Sequence, residues 1–311
     1  MIAADLNNKA TLGKMSKLVS LESIETPGHE PTTSTEELMG RSGYDPDFLD
    51  GWNIPLPKCK NKDDMLKIKF GEDAGSDELK YEHFSVVMSK PRRMPMLTAV
   101  NIDGKHSRSM PRESRWWFDG RLDKEDQFGD ELYYKHGLDR GHMVRREDPV
   151  WGKFEIAQTA NRDTFHFTNS CPQMPGVNQV TWVGLENYVL KHAKADEMRV
   201  SVFTGPFFTD NDLPFKEKYL IPLSFWKVVA IVLEDGRPSA TAYKVSQEKE
   251  LSELEFVYAG YKTYQISIKE VMKYSNIDFG SLIEYDGFSQ HEIANSTVFE
   301  ERIDQLESIR I

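Results

Sequence analysis

The run Leu138-Asp139-Arg140-Gly141-His142-Met143 is followed about 25 residues later by Thr168-Asn169-Ser170-Cys171-Pro172-Gln173, then by Asn178-Gln179 with Trp182, Leu185 and Glu186 at short offsets. The residues between and around these runs suggest the elements that carry them. Asp163 to Asn169 (DTFHFTN) alternates and reads as a strand, with His166 facing away from Phe165 and Phe167 and most simply a packed histidine. Asn178 to Ala195 reads as a helix, because Val180, Val183, Val189 and Leu190, with Leu185 one place off the stripe, make a mostly one-sided apolar face. Asn178 then sits where an N-cap asparagine belongs, and Glu186, eight residues on, lies a little over two turns away near the same face.

Further out, HFSVVMS and MLTAVNID are β-rich runs flanking KPRRMP, which predicts two strands and a turn beginning near Tyr81. The charged, aromatic stretch 105–138 reads as a long loop, and long loops inside compact domains often carry function. MRVSVFTGPFF and FWKVVAIVLE predict strands, YQISIKEVMKYSNIDF a strand and short helix, and STVFEERIDQLESI a last amphipathic segment. Residues 1–80 are polar, broken by Gly and Pro and without a sustained period, which predicts an extension that wraps the core or stays mobile. The expected organisation is therefore an extension over 1–80, one α+β domain over 81–287 and a helical tail over 288–311. There is no internal repeat.

With 39% apolar and 29% charged residues, the chain has the composition of a water-soluble globular protein, and no run of about 18 apolar residues suits a membrane span. Cys59 and Cys171 are too few for a disulfide framework or a structural zinc site and read as reduced thiols. The N-terminus lacks the basic start and apolar stretch of a secretory signal, which makes the cytoplasm the default location. The net charge of −11 is unevenly spread: −6 over residues 1–89, +4 over 90–146 and −9 over 147–311. A modest basic stretch between acidic ones suits an enzyme that must release an anionic product better than a sequence-specific DNA binder.

The three runs resemble the D-R-G-H, T/S-N-x-x-P-Q and N-Q-x-x-W-x-x-L-E patterns of the DNA/RNA non-specific endonuclease family, with every fixed position filled and in order. The likeness extends to Arg115-Trp116-Trp117, Thr204-Gly205-Pro206 and Pro222-x-x-Phe225-Trp226-Lys227, and so covers roughly Tyr81 to Gly287. It implies a ββα-metal (His-Me finger) fold, with a mixed, mostly antiparallel sheet flanked by helices. It also implies metal-dependent hydrolysis of phosphodiester bonds in DNA and RNA with little sequence preference.

Such hydrolysis needs a nucleophilic water, stabilisation of transition-state charge and help for the leaving oxygen. His142 is the expected general base, since an imidazole of ordinary pKa about 6.5 is basic at neutral pH. The resemblance assigns Asn178 as direct ligand of a Mg²⁺ ion, with Mn²⁺ as a substitute, and Glu186 as its neighbour through water. Arg140 is expected to face the scissile phosphate, where a guanidinium donates two parallel hydrogen bonds. Arg115 matches the family's upstream arginine more loosely, with Arg108, Arg112 and Arg121 as nearby competitors. Asn169 is expected either to contact substrate or to brace its turn, and Asp139 to fix the loop. Arg145, Arg146 and Gln179 are candidate substrate contacts, and Trp182 reads as core.

Two other readings keep the same residues: a phosphodiesterase acting on small phosphoesters, and a non-catalytic binding member of the family. A low-specificity nuclease inside a cell needs restraint, so the acidic extension or a partner protein is expected to limit access, with use in defence. Family likeness allows a homodimer, but the sequence identifies no interface.

Overall fold

The structure, a computed structural model, describes residues 28–175, 183–247, 262–295, 298 and 300–303. Its centre is an eight-stranded, wholly antiparallel sheet. The strands are β1 (Glu78–Tyr81), β2 (Phe84–Ser89) and β3 (Met94–Asp103), followed after a long excursion by β6 (Arg199–Pro206), β7 (Ser224–Val232), β8 (Pro238–Ser246), β9 (Lys262–Ile266) and β10 (Glu301–Ile303). In space they run β10-β9-β8-β7-β6-β3-β2-β1, so β3 and β6 are neighbours although residues 104–198 lie between them. That excursion carries β4 (Asp139–His142), helix α1 (Phe154–Asp163), β5 (Ser170–Gln173) and helix α2 (Val183–Ala195). Helices α3 (Ile268–Ser275) and α4 (Gly287–Asn295) follow the later strands.

Strand alternation divides the core into two layers. Val100, Ile102, Val200, Val202, Phe225, Val229, Tyr243 and Val245 point to one side, where Val189, Leu190 and Ala193 of α2 and the ring cluster of Trp116, Phe165 and Phe167 meet them. Leu97, Ala99, Phe203, Trp226, Val228 and Ala230 point to the other, against Ile268, Val271, Ile277 and Phe279. Gly205 of the Thr204-Gly205-Pro206 run has a packing reason, since a Cβ there would overlap the Trp226 ring. Residues 28–80 feed both layers: Leu38, Leu66 and Ile68 join the first, while Tyr44, Phe48, Leu49, Trp52 and Ile54 close the second. Their apolar side chains are spaced too irregularly for any period to reveal them.

Two expectations are corrected. The strand foreseen over Asp163–Asn169 is instead the end of α1, a bend and a 3-10 turn at Phe167–Asn169. Phe165, His166 and Phe167 are all buried, so the alternation marked enclosure from every side. Local bonds, Thr164 Oγ1 to Asn161 O and Asn169 Nδ2 to Thr164 O, curl the chain back where a ladder would have extended it. Helix α1 itself had no counterpart among the predicted elements. The segment 296–309 is not wholly helical, because Glu301–Ile303 adds an edge strand to β9. Cys59 and Cys171 are buried free thiols, as expected.

Candidate active site

β4 and β5, though separated by α1 in the chain, form a two-stranded antiparallel pair in which Asp139 faces Gln173, Arg140 faces Pro172, Gly141 faces Cys171 and His142 faces Ser170. The Asp-Arg-Gly-His run is thus one strand and the Ser-Cys-Pro-Gln run its partner. Gly141 has a packing reason, because a Cβ there would overlap the buried Gln173 side chain, which would have to move. After this pair comes α2, whose Val189, Leu190 and Ala193 pack on the sheet, giving a strand-strand-helix unit.

His142 ends β4 half-buried, its ring 4.7 Å from that of Trp116 and 5.0 Å edge-on to Phe165. Its Nε2 is shielded from solvent and has no hydrogen-bond partner among the described residues. Burial, aided by the Arg112 and Arg146 guanidinium groups, holds the imidazole well below its ordinary pKa, so the ring is neutral at neutral pH. The loop after it is fixed by Asn169, which is fully buried: its backbone oxygen accepts from Met143 N, its Oδ1 accepts from Val144 N at 2.8 Å, and its Nδ2 donates to Val144 O and Thr164 O at 3.0 Å. That geometry makes Asn169 a brace of the His142 loop.

Arg140 shares the strand face of His142 by alternation and pairs with Asp130 (Nε to Oδ1, 2.8 Å) over the Tyr133 ring. Arg115 is exposed on the loop before Trp116. Of its competitors, Arg112 lies 5.5 Å over the Phe165 ring and acts on His142, Arg108 bonds Gly152 O, and Arg121 is locked to Asp119 in a buried pair. Arg145 and Arg146 are half-buried braces rather than a solvated pair: Arg145 donates to Glu186 O and Glu147, and Arg146 to Met110 O, Asn161 Oδ1 and Glu147. His166 is packed, its ring nitrogens engaging Asp163 O and Thr33 Oγ1. Asn178, Gln179 and Trp182 lie outside the described residues.

Glu186, in the first turn of α2, is buried, and its Oε1 accepts from Lys227 Nζ at 3.2 Å. Lys227 also donates to Thr204 Oγ1 at 3.0 Å. Asp148 is buried nearby with Oδ1 unpartnered among the described residues, and burial pushes its carboxyl up to about 7. Lys227, Asp148, Trp116 and Arg112 carry parts of this site to which the motifs assigned no role. The one sequence signal was a lysine inside the otherwise apolar run FWKVVAIV.

The donors on this side of the site are carboxylate oxygens, which suit a hard divalent cation. Among the described residues no group of three His, Cys, Asp or Glu side chains is gathered to hold a metal. Mg²⁺, which keeps several waters, needs no such group.

Residues 61–286 match the profile of the DNA/RNA non-specific endonucleases. The chain is 40% identical over 248 residues to an uncharacterized protein of Sinorhizobium fredii, covering 75% of this chain and 36% of that one. It is 31% identical over 122 residues to human mitochondrial endonuclease G, covering 36% of this chain and 39% of that one. The chain therefore matches less than two thirds of the length of these relatives. A crystal structure of an EndoG/EndoGI complex superposes with a TM-score of 0.53 at 18% identity, over 70% of this chain and 90% of that one, a likeness of fold. With the profile covering most of its length and the strand-strand-helix unit in place, the chain belongs to the DNA/RNA non-specific endonuclease family.

Proposed function

We propose that this chain is a metal-dependent endonuclease that hydrolyses phosphodiester bonds of DNA and RNA with little sequence preference, with His142 as general base. The observation that carries this reading is the His142 imidazole itself, kept neutral between Trp116 and Phe165 with a buried, unpartnered Nε2. A base of this kind takes a proton from an attacking water without first having to lose one of its own. Arg140 and Arg115 are the proposed phosphate contacts, because a guanidinium presents its donors in a planar fork that matches phosphate oxygens. Gln179 is proposed to meet the rest of the nucleic acid, and Arg145 and Arg146 to hold the loop beside it. Asn169 acts by holding the loop after His142.

Asn178 would hold the divalent cation directly and Glu186 at one remove. Bound there, Mg²⁺, or Mn²⁺ in its place, supplies positive charge to the phosphate and its leaving oxygen. An inhibitory partner belongs to the same proposal, because a low-specificity nuclease needs restraint and the solved EndoG is held in a complex described as inhibited. Intracellular use in defence is the setting this reading suggests.

The test is incubation of the purified chain with plasmid DNA and a structured RNA, in Mg²⁺ or EDTA, beside His142→Ala. Cleavage that needs the metal and falls at least about 10²-fold without the imidazole is expected. A well-folded chain that cuts neither substrate, or cuts equally well in EDTA, overturns the proposal.

A further inference from the structure

Lys227 stands in the middle of the sheet, in the row where Thr98 of β3, Thr204 of β6, Lys227 of β7 and Tyr243 of β8 are register partners. On its strand it shares a face with Phe225, Val229 and Ile231, all buried in the layer beneath α2. It is only 2% exposed, and a lysine that deep is rare without a partner. Its ammonium reaches up to Glu186 Oε1 and sideways to Thr204 Oγ1. Arg145 takes the backbone carbonyl of the same glutamate at 3.2 Å. Glu186 is thereby held from two sides, carboxylate and main chain, by cations from the sheet and from the loop after His142.

Stability alone does not account for this arrangement. A buried ion pair recovers little more than its desolvation cost, and an apolar pair of similar volume serves a core as well or better. Here the cost is raised by a second buried carboxylate, Asp148, whose Oδ1 lacks a hydrogen-bond partner among the described residues. What an ion pair supplies and an apolar pair does not is a fixed direction for one carboxylate.

We propose that Lys227 is a positioning residue of the active site, whose ammonium aims the Glu186 carboxylate toward the divalent cation. The proposal rests on the nuclease reading above and adds the sheet residue on which the geometry of the site depends. Groups that orient a metal's neighbours affect affinity about 10- to 100-fold when removed.

The test uses three full-length variants: Lys227→Met, which keeps length and removes charge, Glu186→Gln, and the two combined, which removes both charges of the pair. Mn²⁺ affinity is measured by calorimetry in the absence of nucleic acid, with kcat and KM measured separately on a DNA substrate. Lys227→Met is expected to weaken Mn²⁺ binding about 10-fold or more and to lower kcat with little change in KM. Added to Glu186→Gln, it is expected to change Mn²⁺ affinity less than twofold, because its only route to the cation is already gone. Wild-type Mn²⁺ affinity in Lys227→Met overturns the proposal, as does a full further loss in the double variant. If Lys227→Met alone does not fold, the comparison of the double variant with Glu186→Gln decides the question by that same criterion. No Mn²⁺ binding by the wild type also overturns it. Lys227-dependent Mn²⁺ binding in a chain that cuts nothing keeps the positioning role and removes the nuclease reading instead.

Discussion

The two faces of the eight-stranded sheet are made from alternate residues of the same strands, yet they are built to different ends. On the face away from the site, Trp226, Val228, Ala230, Phe203 and Leu97 meet Ile268, Val271 and Phe279 in an unbroken apolar layer. The Trp226 ring lies 5.5 Å edge-on to Phe279, and its indole N–H goes to Pro206 O. On the site face, the equivalent layer is interrupted by Thr98, Thr204 and Lys227 in one row, with Glu186 above them and Asp148 alongside. One face gains stability from close packing, while the other spends part of that packing to hold charges and an imidazole in fixed places.

The comparison is broken most forcefully by truncating one anchor on each side. Trp226→Ala is expected to cost about 3–5 kcal/mol of stability, read by denaturant unfolding, with per-molecule cleavage preserved below its melting range. His142→Ala should do the reverse, with unfolding little changed and cleavage down at least about 10²-fold. Equal effects of both variants on stability and rate would erase the distinction between the faces.

Asn169→Ala tests the brace between them. It removes three side-chain hydrogen bonds from a buried site and lets the loop after His142 shift, so stability should fall by about 1–3 kcal/mol and cleavage by about 10²-fold. Loss of stability with an unchanged rate would show that the loop keeps its place without it.

The charged face should also carry the pH dependence. Asp148 folds with its carboxyl raised to about 7 from an ordinary value near 3.8, so the folded state binds the extra proton. In metal-free protein its contribution is present below about pH 4 and lost as pH rises toward 7. Asp148→Asn should therefore flatten that decline in melting temperature. His142 has the opposite sign: its lowered pKa means stability is lost as pH falls below about 6.5, and the acidic limb of kcat/KM should lie below that value. The smallest effect is expected from Arg112→Ala, which removes one of the two guanidinium groups acting on the imidazole and leaves burial, the larger cause, untouched; the limb should move slightly upward. A downward shift would contradict that sign.

How much of this was legible in the sequence follows from the range of each signal. The strands at Phe84–Ser89, Met94–Asp103, Arg199–Pro206 and Ser224–Val232 came from local alternation and β-branched content, and α2 from its apolar stripe. Asp163–Asn169 was misread because Phe165, His166 and Phe167 are enclosed on all sides by segments far away in the chain, which imitates a strand. The pairing of Lys227 with Glu186 spans 41 positions and crosses two elements, so no local pattern encodes it; only the oddity of a lysine in FWKVVAIV pointed that way. Gly141 and Gly205 were visible as motif letters, but the Gln173 and Trp226 side chains that a Cβ there would meet emerge only once the strands are packed.

The sequence by itself determined the order of the three runs, five of the eight strands of the sheet and the residue types able to accept a proton and hold a hard cation, because propensity and side-chain chemistry are local properties. The tertiary structure decided what those residues experience. It sets His142 between two aromatic rings, turns Arg145 and Arg146 inward and puts a lysine beneath Glu186, because burial and electrostatic environment exist only when distant segments exclude water together.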